Sequence, residues 1–183
     1  TAALAGKVDE AFAPVWKLRD QMLAEKLPVP RLIASGTPTF ALLAKNPDVE
    51  VGVGTTVLWD FGQEEVCPEH HFINGAMLMC RVISKPTADR LCLDLGHKAV
   101  AAEMPQPRVR LMGLEDAVLV SQSEEHLVVQ TPRAADYQVG DVVYGIPRHI
   151  CPTMALHSDV WAVHAGVADE SWPVVARSRK LTI

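Results

Sequence analysis

From residue 76 onward the sequence is a succession of short strand-like runs, and this feature constrains the fold more than any other. Turn residues separate the runs, for example Lys85-Pro86, Pro105-Gln106-Pro107 and Gln138-Val139-Gly140-Asp141. Many short strands with regular turns indicate an antiparallel barrel or sandwich. The predicted strands cover residues 77–84, 90–95, 99–102, 108–112, 117–121, 126–130, 141–146, 160–164 and 172–176.

The first sixty residues follow a different pattern. Residues 8–27 have helical spacing, although Pro14 would kink the helix or mark a later start. A strand over 31–34, a helix over 40–45 and a strand over 50–53 come next. This alternation predicts a parallel sheet with crossover helices, an α/β arrangement. Two short buried strands do not close a core, so we expect the tail of a larger α/β domain whose earlier part this chain lacks.

The sequence therefore predicts an α/β region over 1–60, a linker over 61–75 and an antiparallel, all-β domain over 76–183. The hydrophobic fraction of 49% is ample for a core, and the net charge of −5 gives no reason to expect binding to nucleic acid or to an anionic membrane. No apolar run approaches the roughly 20 residues of a membrane span. None of the four cysteines forms a Cys-x-x-Cys pair, so the default compartment is the reducing cytoplasm.

Two strand ends in the α/β region are rich in glycine and hydroxyl groups. Ser35-Gly36-Thr37 lies between a strand and a helix, where backbone amides and hydroxyls can bind an anion. The same triplet also fits a plain capping turn before Pro38. The segment Gly52-Val53-Gly54-Thr55-Thr56 ends the next strand. Neighbouring strand ends of this kind are typical of the phosphate site of a (β/α)8 barrel.

His149 and Cys151 are the candidate metal ligands. If the segment between Pro147 and Pro152 is extended, their side chains point to the same side, because side chains alternate with period two. An imidazole and a thiolate make a half-site for a divalent ion such as zinc. A structural zinc site needs four protein ligands, whereas a catalytic site keeps a position open. The alternative is a hydrogen-bonded histidine and an inert cysteine, and spacing alone does not decide between them.

Taken in order along the chain, these motifs resemble one enzyme family. They are Ser35-Gly36-Thr37-Pro38-Thr39, Gly54-Thr55 with Asp60 shortly after, Asp94-x-Gly96-x-Lys98, Glu124-Glu125-His126, Gly140-Asp141 and Pro147-x-His149-x-Cys151-Pro152-Thr153. The ordered set resembles the D-threonine aldolase and D-serine dehydratase-like group of pyridoxal-phosphate enzymes, which have an alanine-racemase-type barrel. The resemblance covers nearly all of residues 30–180.

The resemblance implies a fold and a set of ligands. Residues 1–60 would be the last part of a TIM-type (β/α)8 barrel, and residues 76–183 its C-terminal antiparallel β domain. The phosphate of pyridoxal 5'-phosphate would be held by Ser35, Gly36, Thr37, Gly54 and Thr55. His149 and Cys151 would bind a divalent metal beside the cofactor, zinc by expectation, with manganese or magnesium as alternatives. The family's Schiff-base lysine lies near the start of its barrel, in a segment this chain lacks, so the catalytic residues stay unknown.

The activity implied is that of a lyase acting on small D-β-hydroxy amino acids, working as a homodimer with the missing barrel half. The thiolate at Cys151 resembles the dehydratase branch, which releases a keto acid and ammonia. The alternatives within the family are retro-aldol cleavage to glycine and an aldehyde, a racemase-like activity, and action on hydroxyaspartate. Outside the family, residues 76–183 could be a non-enzymatic β-barrel binding module with a fortuitous His-x-Cys pair.

Overall fold

The computed structural model describes residues 2–178 and residue 180, and the chain divides into the units Thr1–Thr56 and Val57–Ile183. In the first unit the elements are α1 (Ala2–Ala24), β1 (Leu32–Ser35), α2 (Phe40–Leu43), β2 (Val49–Gly52) and the start of a 3-10 turn (Thr55–Val57). Among the described residues, no helix is long and apolar enough to span a membrane.

The first unit has the parallel pairing that the alternation predicts. β1 pairs β2 in parallel, with Leu32 opposite Val49 and Ser35 opposite Gly52. Helix α1 runs without interruption past Pro14. Its small core consists of Val8, Ala34 and Leu43, with five partly buried apolar side chains packed against them. The predicted short helix and both strands are therefore present, within one or two residues of their expected positions.

The second unit contains an antiparallel sheet of six strands and a separate hairpin. Its elements are α3 (Phe61–Val66), β3 (Leu78–Thr87), β4 (Arg90–Leu93), β5 (Val109–Leu111), β6 (Val118–Gln122), β7 (Leu127–Gln130), a 3-10 turn (Pro132–Asp136), β8 (Val142–Pro147), α4 (Ile150–Met154), β9 (Asp159–His164), β10 (Val167–Pro173) and a 3-10 turn (Val175–Ser178). The six-stranded order is β5-β8-β3-β4-β7-β6, and β9 pairs β10 alone. The prediction of an antiparallel β domain is confirmed.

Strand β3 connects the two parts of the six-stranded sheet. Residues 78–81 of β3 pair with β8, whereas residues 82–87 pair with β4 through two irregularities of register. Such irregularities increase local twist, and the sheet curls as a result. Its enclosed face carries a continuous apolar core built from alternate residues of each strand. The largest fully enclosed side chains in this core are Val82, Leu91, Leu93, Leu95 and Leu114.

Three sequence expectations differ from the structure in this unit. Residues 99–102 form no strand, because the chain leaves the sheet after Leu93. The last strand is Val167–Pro173 rather than 172–176. Residues 61–75, expected as a linker, begin with helix α3, and the domain boundaries drawn from the sequence stay predictions.

Candidate functional site

His149 and Cys151 lie at the beginning of helix α4. His149 is the N-cap residue, with extended backbone angles, and Cys151 is in the first turn of the helix. The expectation of an extended segment with period two is therefore wrong. Pro152 permits this helix, because the N–H that its ring lacks has no helical partner in a first turn, and a hydrogen bond from the N–H of Ile150 to Asp60 fixes the helix start. The Cys151 side chain is exposed and His149 is partly exposed.

A buried carboxylate, that of Asp60, holds the start of α4 in place. Its Oδ2 accepts the backbone N–H of Ile150 at 2.8 Å, and its Oδ1 accepts the N–H of Gln63 at 2.8 Å. Asp60 is 1% exposed. One side chain thus caps α3 and α4 together, satisfying an otherwise unpaired N–H at each helix start. Its negative charge also suits both helix N-termini.

Helix α3 is fixed to the end of β8, which leads into α4, by close backbone contact and by two arginines. The N–H of Gly62 donates to the carbonyl of Arg148 at 3.1 Å, and a Cβ at Gly62 would lie 2.3 Å from that oxygen. The guanidinium groups of Arg110 and Arg148 lie 5.4 and 4.7 Å from the centre of the Phe61 ring. Arg148 also pairs with Glu65 at 2.6 Å. These contacts set the position of residue 148 and, through it, of His149.

The loop after β4 is hydrogen-bonded to the α4 region. Thr153, 1% exposed, donates its hydroxyl to the carbonyl of His149 at 2.7 Å and accepts the N–H of Ala101 at 3.2 Å. Two residues further on, the Glu103 carboxylate lies 2.6 Å from Nδ1 of His149. The His157 ring bonds the carbonyl of Ala99 at 2.9 Å. The loop and helix α4 therefore share a hydrogen-bond network that includes the His149 ring.

Two further motifs of the β domain, Asp94-x-Gly96-x-Lys98 and Glu124-Glu125-His126, meet at the start of this loop. The N–H groups of His97 and Lys98 donate to the carbonyls of Ser123 and Glu124 at 2.9 and 3.0 Å. Lys98 also pairs with Glu124 and Glu125, and these carboxylates raise its pKa to about 12. At Gly96 a Cβ would lie 2.1 Å from the Glu124 carbonyl oxygen. The motifs therefore fix the path of the loop.

The other thiols differ from Cys151 in their surroundings. Cys80 donates to the carbonyl of Val143 at 3.3 Å, and burial raises its pKa to about 12. Cys92 is also buried in the sheet. Within residues 2–178 and 180, no group of three or more His, Cys, Asp or Glu side chains is arranged to hold a metal ion.

The strand ends of the first unit meet as the sequence predicts. The Ser35 hydroxyl donates to the carbonyl of Gly52 at 2.8 Å, and a Cβ at Gly52 would lie 2.8 Å from that hydroxyl oxygen. Gly36 has φ of +129°, a region that favours glycine. Thr37 and Thr55 are buried, whereas Gly54 is exposed with open space around it. Parallel pairing thus brings Ser35 beside the segment that leads to Gly54 and Thr55.

Sequence reasoning did not identify the supporting roles of Asp60, Glu103 and Thr153. A signal existed for the first of them, because Asp60 followed by Gln63 three residues later matches the pattern of a helix N-cap. Glu103 and Thr153 carry no such signal, since each acts through a partner 46 or 52 residues away in the sequence.

Replacing Asp60 by asparagine is expected to lower the free energy of unfolding by about 2 kcal/mol. The amide retains one acceptor but turns a donor toward a backbone N–H, which leaves that buried N–H unsatisfied. Urea unfolding measures the loss, and hydrogen exchange at Ile150 should quicken. The control is Asp136→Asn, which removes an exposed ion pair with Arg133 and should change stability by less than about 0.5 kcal/mol. Equal stability of the two variants would contradict the role given to Asp60.

Comparison with known sequences relates this chain to a protein family and to several individual proteins. The family model described as "Putative serine dehydratase domain" matches residues 75–163. A D-threonine aldolase from an Arthrobacter species is 33% identical over 119 residues, covering 64% of this chain and 31% of the aldolase. An uncharacterized protein of Mycobacterium tuberculosis is 33% identical over 94 residues, covering 49% of this chain and 71% of that protein. The chain thus spans about a third of the aldolase's length.

Comparison with solved structures shows a shared fold. The D-threonine aldolase of Filomicrobium marinum matches with a TM-score of 0.79 and 22% identity, over 96% of this chain and 47% of that one. Two variants of D-threo-3-hydroxyaspartate dehydratase match with TM-scores of 0.67 and 0.68, 19% identity, and 84% coverage of this chain. The matched regions span 46% and 45% of the respective dehydratase chains. One replaces a histidine by alanine; the other replaces a cysteine two positions later and is described as metal-free.

Proposed function

We propose, from the premise that this chain belongs to the D-threonine aldolase and D-serine dehydratase-like family, that it contributes the metal ligands and phosphate ligands of a lyase for small D-β-hydroxy amino acids. The observation that carries the proposal is the His149-x-Cys151 pair at the start of α4. Asp60, Thr153 and Glu103 each make a hydrogen bond to residue 149 or 150 and so hold this segment in place. Residues 1–60 would be the last strands and helices of a (β/α)8 barrel, which the parallel pairing of β1 and β2 supports.

The donor set of α4 suits a catalytic divalent cation. An imidazole nitrogen and a thiolate are ligands that zinc prefers, and two protein ligands leave positions for water and substrate. Cys151 is exposed, so substrate can reach an ion bound there. The Glu103 carboxylate on the His149 ring is the kind of outer partner that metal-bound histidines have. The residues present therefore fit the metal that the family implies.

The paired strand ends suit the phosphate group of pyridoxal 5'-phosphate. Gly36 places a turn with positive φ after β1, and Gly52 leaves room for the Ser35 side chain. Because the Ser35 hydroxyl already donates a hydrogen bond to the carbonyl of Gly52, we expect backbone N–H groups of residues 36, 37, 54 and 55 to supply most of the hydrogen bonds to phosphate. The hydroxyls of Thr37 and Thr55 would add to them.

When bound, pyridoxal phosphate supplies an electron sink for a carbanion, and zinc supplies a Lewis acid for a hydroxyl oxygen. The part of this chain is to bind and orient. His149 and Cys151 hold the cation at the start of a helix whose position Asp60 fixes, and Ser35, Gly36, Thr37, Gly54 and Thr55 hold the phosphate. The side chains that accept or donate the substrate protons stay unassigned.

Dehydration is the reaction we favour. Histidine and cysteine two positions apart are the residues replaced in the two dehydratase variants, and the same spacing separates His149 from Cys151. Retro-aldol cleavage is the second candidate, because this chain is 33% identical to one D-threonine aldolase and matches the structure of another with a TM-score of 0.79. Both reactions act on a substrate with a β-hydroxyl group but release different products. The same substrates can therefore be used for both, and the products distinguish the two reactions.

The test uses the protein as isolated from its source, supplied with pyridoxal phosphate and zinc. D-serine, D-threonine and D-threo-3-hydroxyaspartate are offered separately, and keto acid and aldehyde are measured for each. We expect keto acid and ammonia in equal amounts, abolished by chelation and restored by zinc. Release of glycine and aldehyde would favour the aldolase candidate. No turnover of any of the three, in protein that binds both zinc and pyridoxal phosphate, would refute the proposal.

A further inference from the structure

We infer that Glu103 is a positioning residue that decides which nitrogen of the His149 ring is available to a cation. The inference rests on the proposed metal site and extends it to a residue outside the His-x-Cys pair. Its starting point is the 2.6 Å distance between Oε1 of Glu103 and Nδ1 of His149, two residues 46 positions apart in the sequence.

The chemistry of the two groups gives the bond one direction. An ionised carboxylate can only accept hydrogen bonds, so the proton between these atoms belongs to Nδ1. A neutral imidazole carries a single N–H, and its lone pair is then on Nε2. Nε2 is therefore the nitrogen that can bind a metal.

The backbone around Glu103 is held so that this contact forms. Ala101, 5% exposed, donates its N–H to Thr153, and Thr153 donates to the carbonyl of His149. The loop is thus tied to α4 two residues before Glu103. The ring of His157 adds a second tie at the carbonyl of Ala99. Glu103 reaches His149 from a backbone whose position is already fixed.

Folding stability does not account for the contact. The side chains of His149 and Glu103 are 37% and 47% exposed, and ion pairs at such exposure contribute little to stability. The chain offers a matched control in the hairpin of β9 and β10. There Nδ1 of His164 lies 3.0 Å from Oδ1 of Asp169, also at high exposure, in a hairpin that contains no cysteine.

The direct test reads the position of the proton in the metal-free full chain. Nitrogen-15 NMR of the histidine rings distinguishes the two tautomers without any metal. We expect His149 to carry its proton on Nδ1, and Glu103→Ala to shift the population toward Nε2–H. Glu103→Gln, which keeps a neutral acceptor, should retain part of the original population. A parent protein with the proton on Nε2, or a Glu103→Ala variant with no change, would overturn the inference.

The second test measures zinc affinity by competition with a chromophoric chelator. Glu103→Ala should weaken zinc binding about 10- to 100-fold, the usual effect of removing such a partner, and Glu103→Gln should fall between it and the parent. Asp169→Ala should leave the affinity unchanged, and the midpoint of urea unfolding should be the same in all variants. Equal affinity of Glu103→Ala and the parent would contradict the inference. A parent that binds no zinc would refute the metal part of the proposed function, while the NMR result would still decide the role of Glu103.

Discussion

Replacing Cys151 by alanine is expected to weaken zinc binding by the full chain more than about 100-fold. In the proposed site the thiolate would be one of two protein ligands, and loss of a direct ligand costs more than the roughly 10- to 100-fold effect of losing an outer partner. His149→Ala should have an effect of the same order. Because neither side chain is buried, both variants should keep the urea-unfolding midpoint of the metal-free parent.

Cobalt provides an optical readout of the same site. A thiolate bound to Co²⁺ gives a charge-transfer absorption in the near ultraviolet, and we expect it in the parent and not in Cys151→Ala. The control is His126→Ala, an exposed histidine near the Glu124 turn that should leave both cobalt absorption and zinc affinity unchanged. If Cys151→Ala bound zinc as tightly as the parent, the pair would be fortuitous, and the β domain would be better explained as a binding module.

Replacing Gly96 by alanine is expected to lower the free energy of unfolding by about 3 kcal/mol or more. A Cβ there would lie 2.1 Å from the carbonyl oxygen of Glu124 and 2.2 Å from the backbone nitrogen of Glu125. Backbone atoms, unlike the tip of a long side chain, cannot turn aside, so the two segments must separate. The hydrogen bonds from His97 and Lys98 to the opposite segment would weaken as they do.

Urea unfolding of the full chain measures this loss. The same substitution at Gly6, which lies in α1 with nothing within 4 Å of its Cβ position, is the control. It should be neutral or stabilising by up to about 1 kcal/mol, since alanine is the better helix former. Gly96→Ala should also weaken zinc binding, because the loop that it displaces carries Glu103. A Gly96→Ala variant within about 0.5 kcal/mol of the parent would show that the two segments separate at little cost.

Sequence periodicity predicts the elements of this protein better than it predicts their ends. The pairing of β1 with β2 and the antiparallel β domain follow from the spacing of apolar residues. The start of α4 does not, because proline is compatible with an extended segment and with a first helical turn. The contact that decides between them is made by Asp60, 90 residues earlier in the chain.

The ligands of the proposed site could be chosen from the sequence, but their supports could not. His149 and Cys151 are recognised by type and spacing, and Ser35-Gly36-Thr37 by its place after a strand. Thr153 is an ordinary residue of α4, and Glu103 directly follows residues 99–102, which the strand pattern assigns to the sheet. Only the departure of the chain from the sheet after Leu93 brings the loop that carries Glu103 against α4.

The capping of two helices by Asp60 has a consequence for folding during protein synthesis. Helices of six and five residues do not persist in water by themselves, so α3 and α4 depend on their shared carboxylate and on the strands beside them. That carboxylate has no second helix to cap until residue 150 has emerged. A nascent polypeptide that stops short of this point therefore lacks the fixed start of α4, and we expect the proposed metal site to bind a cation only after the fold is complete.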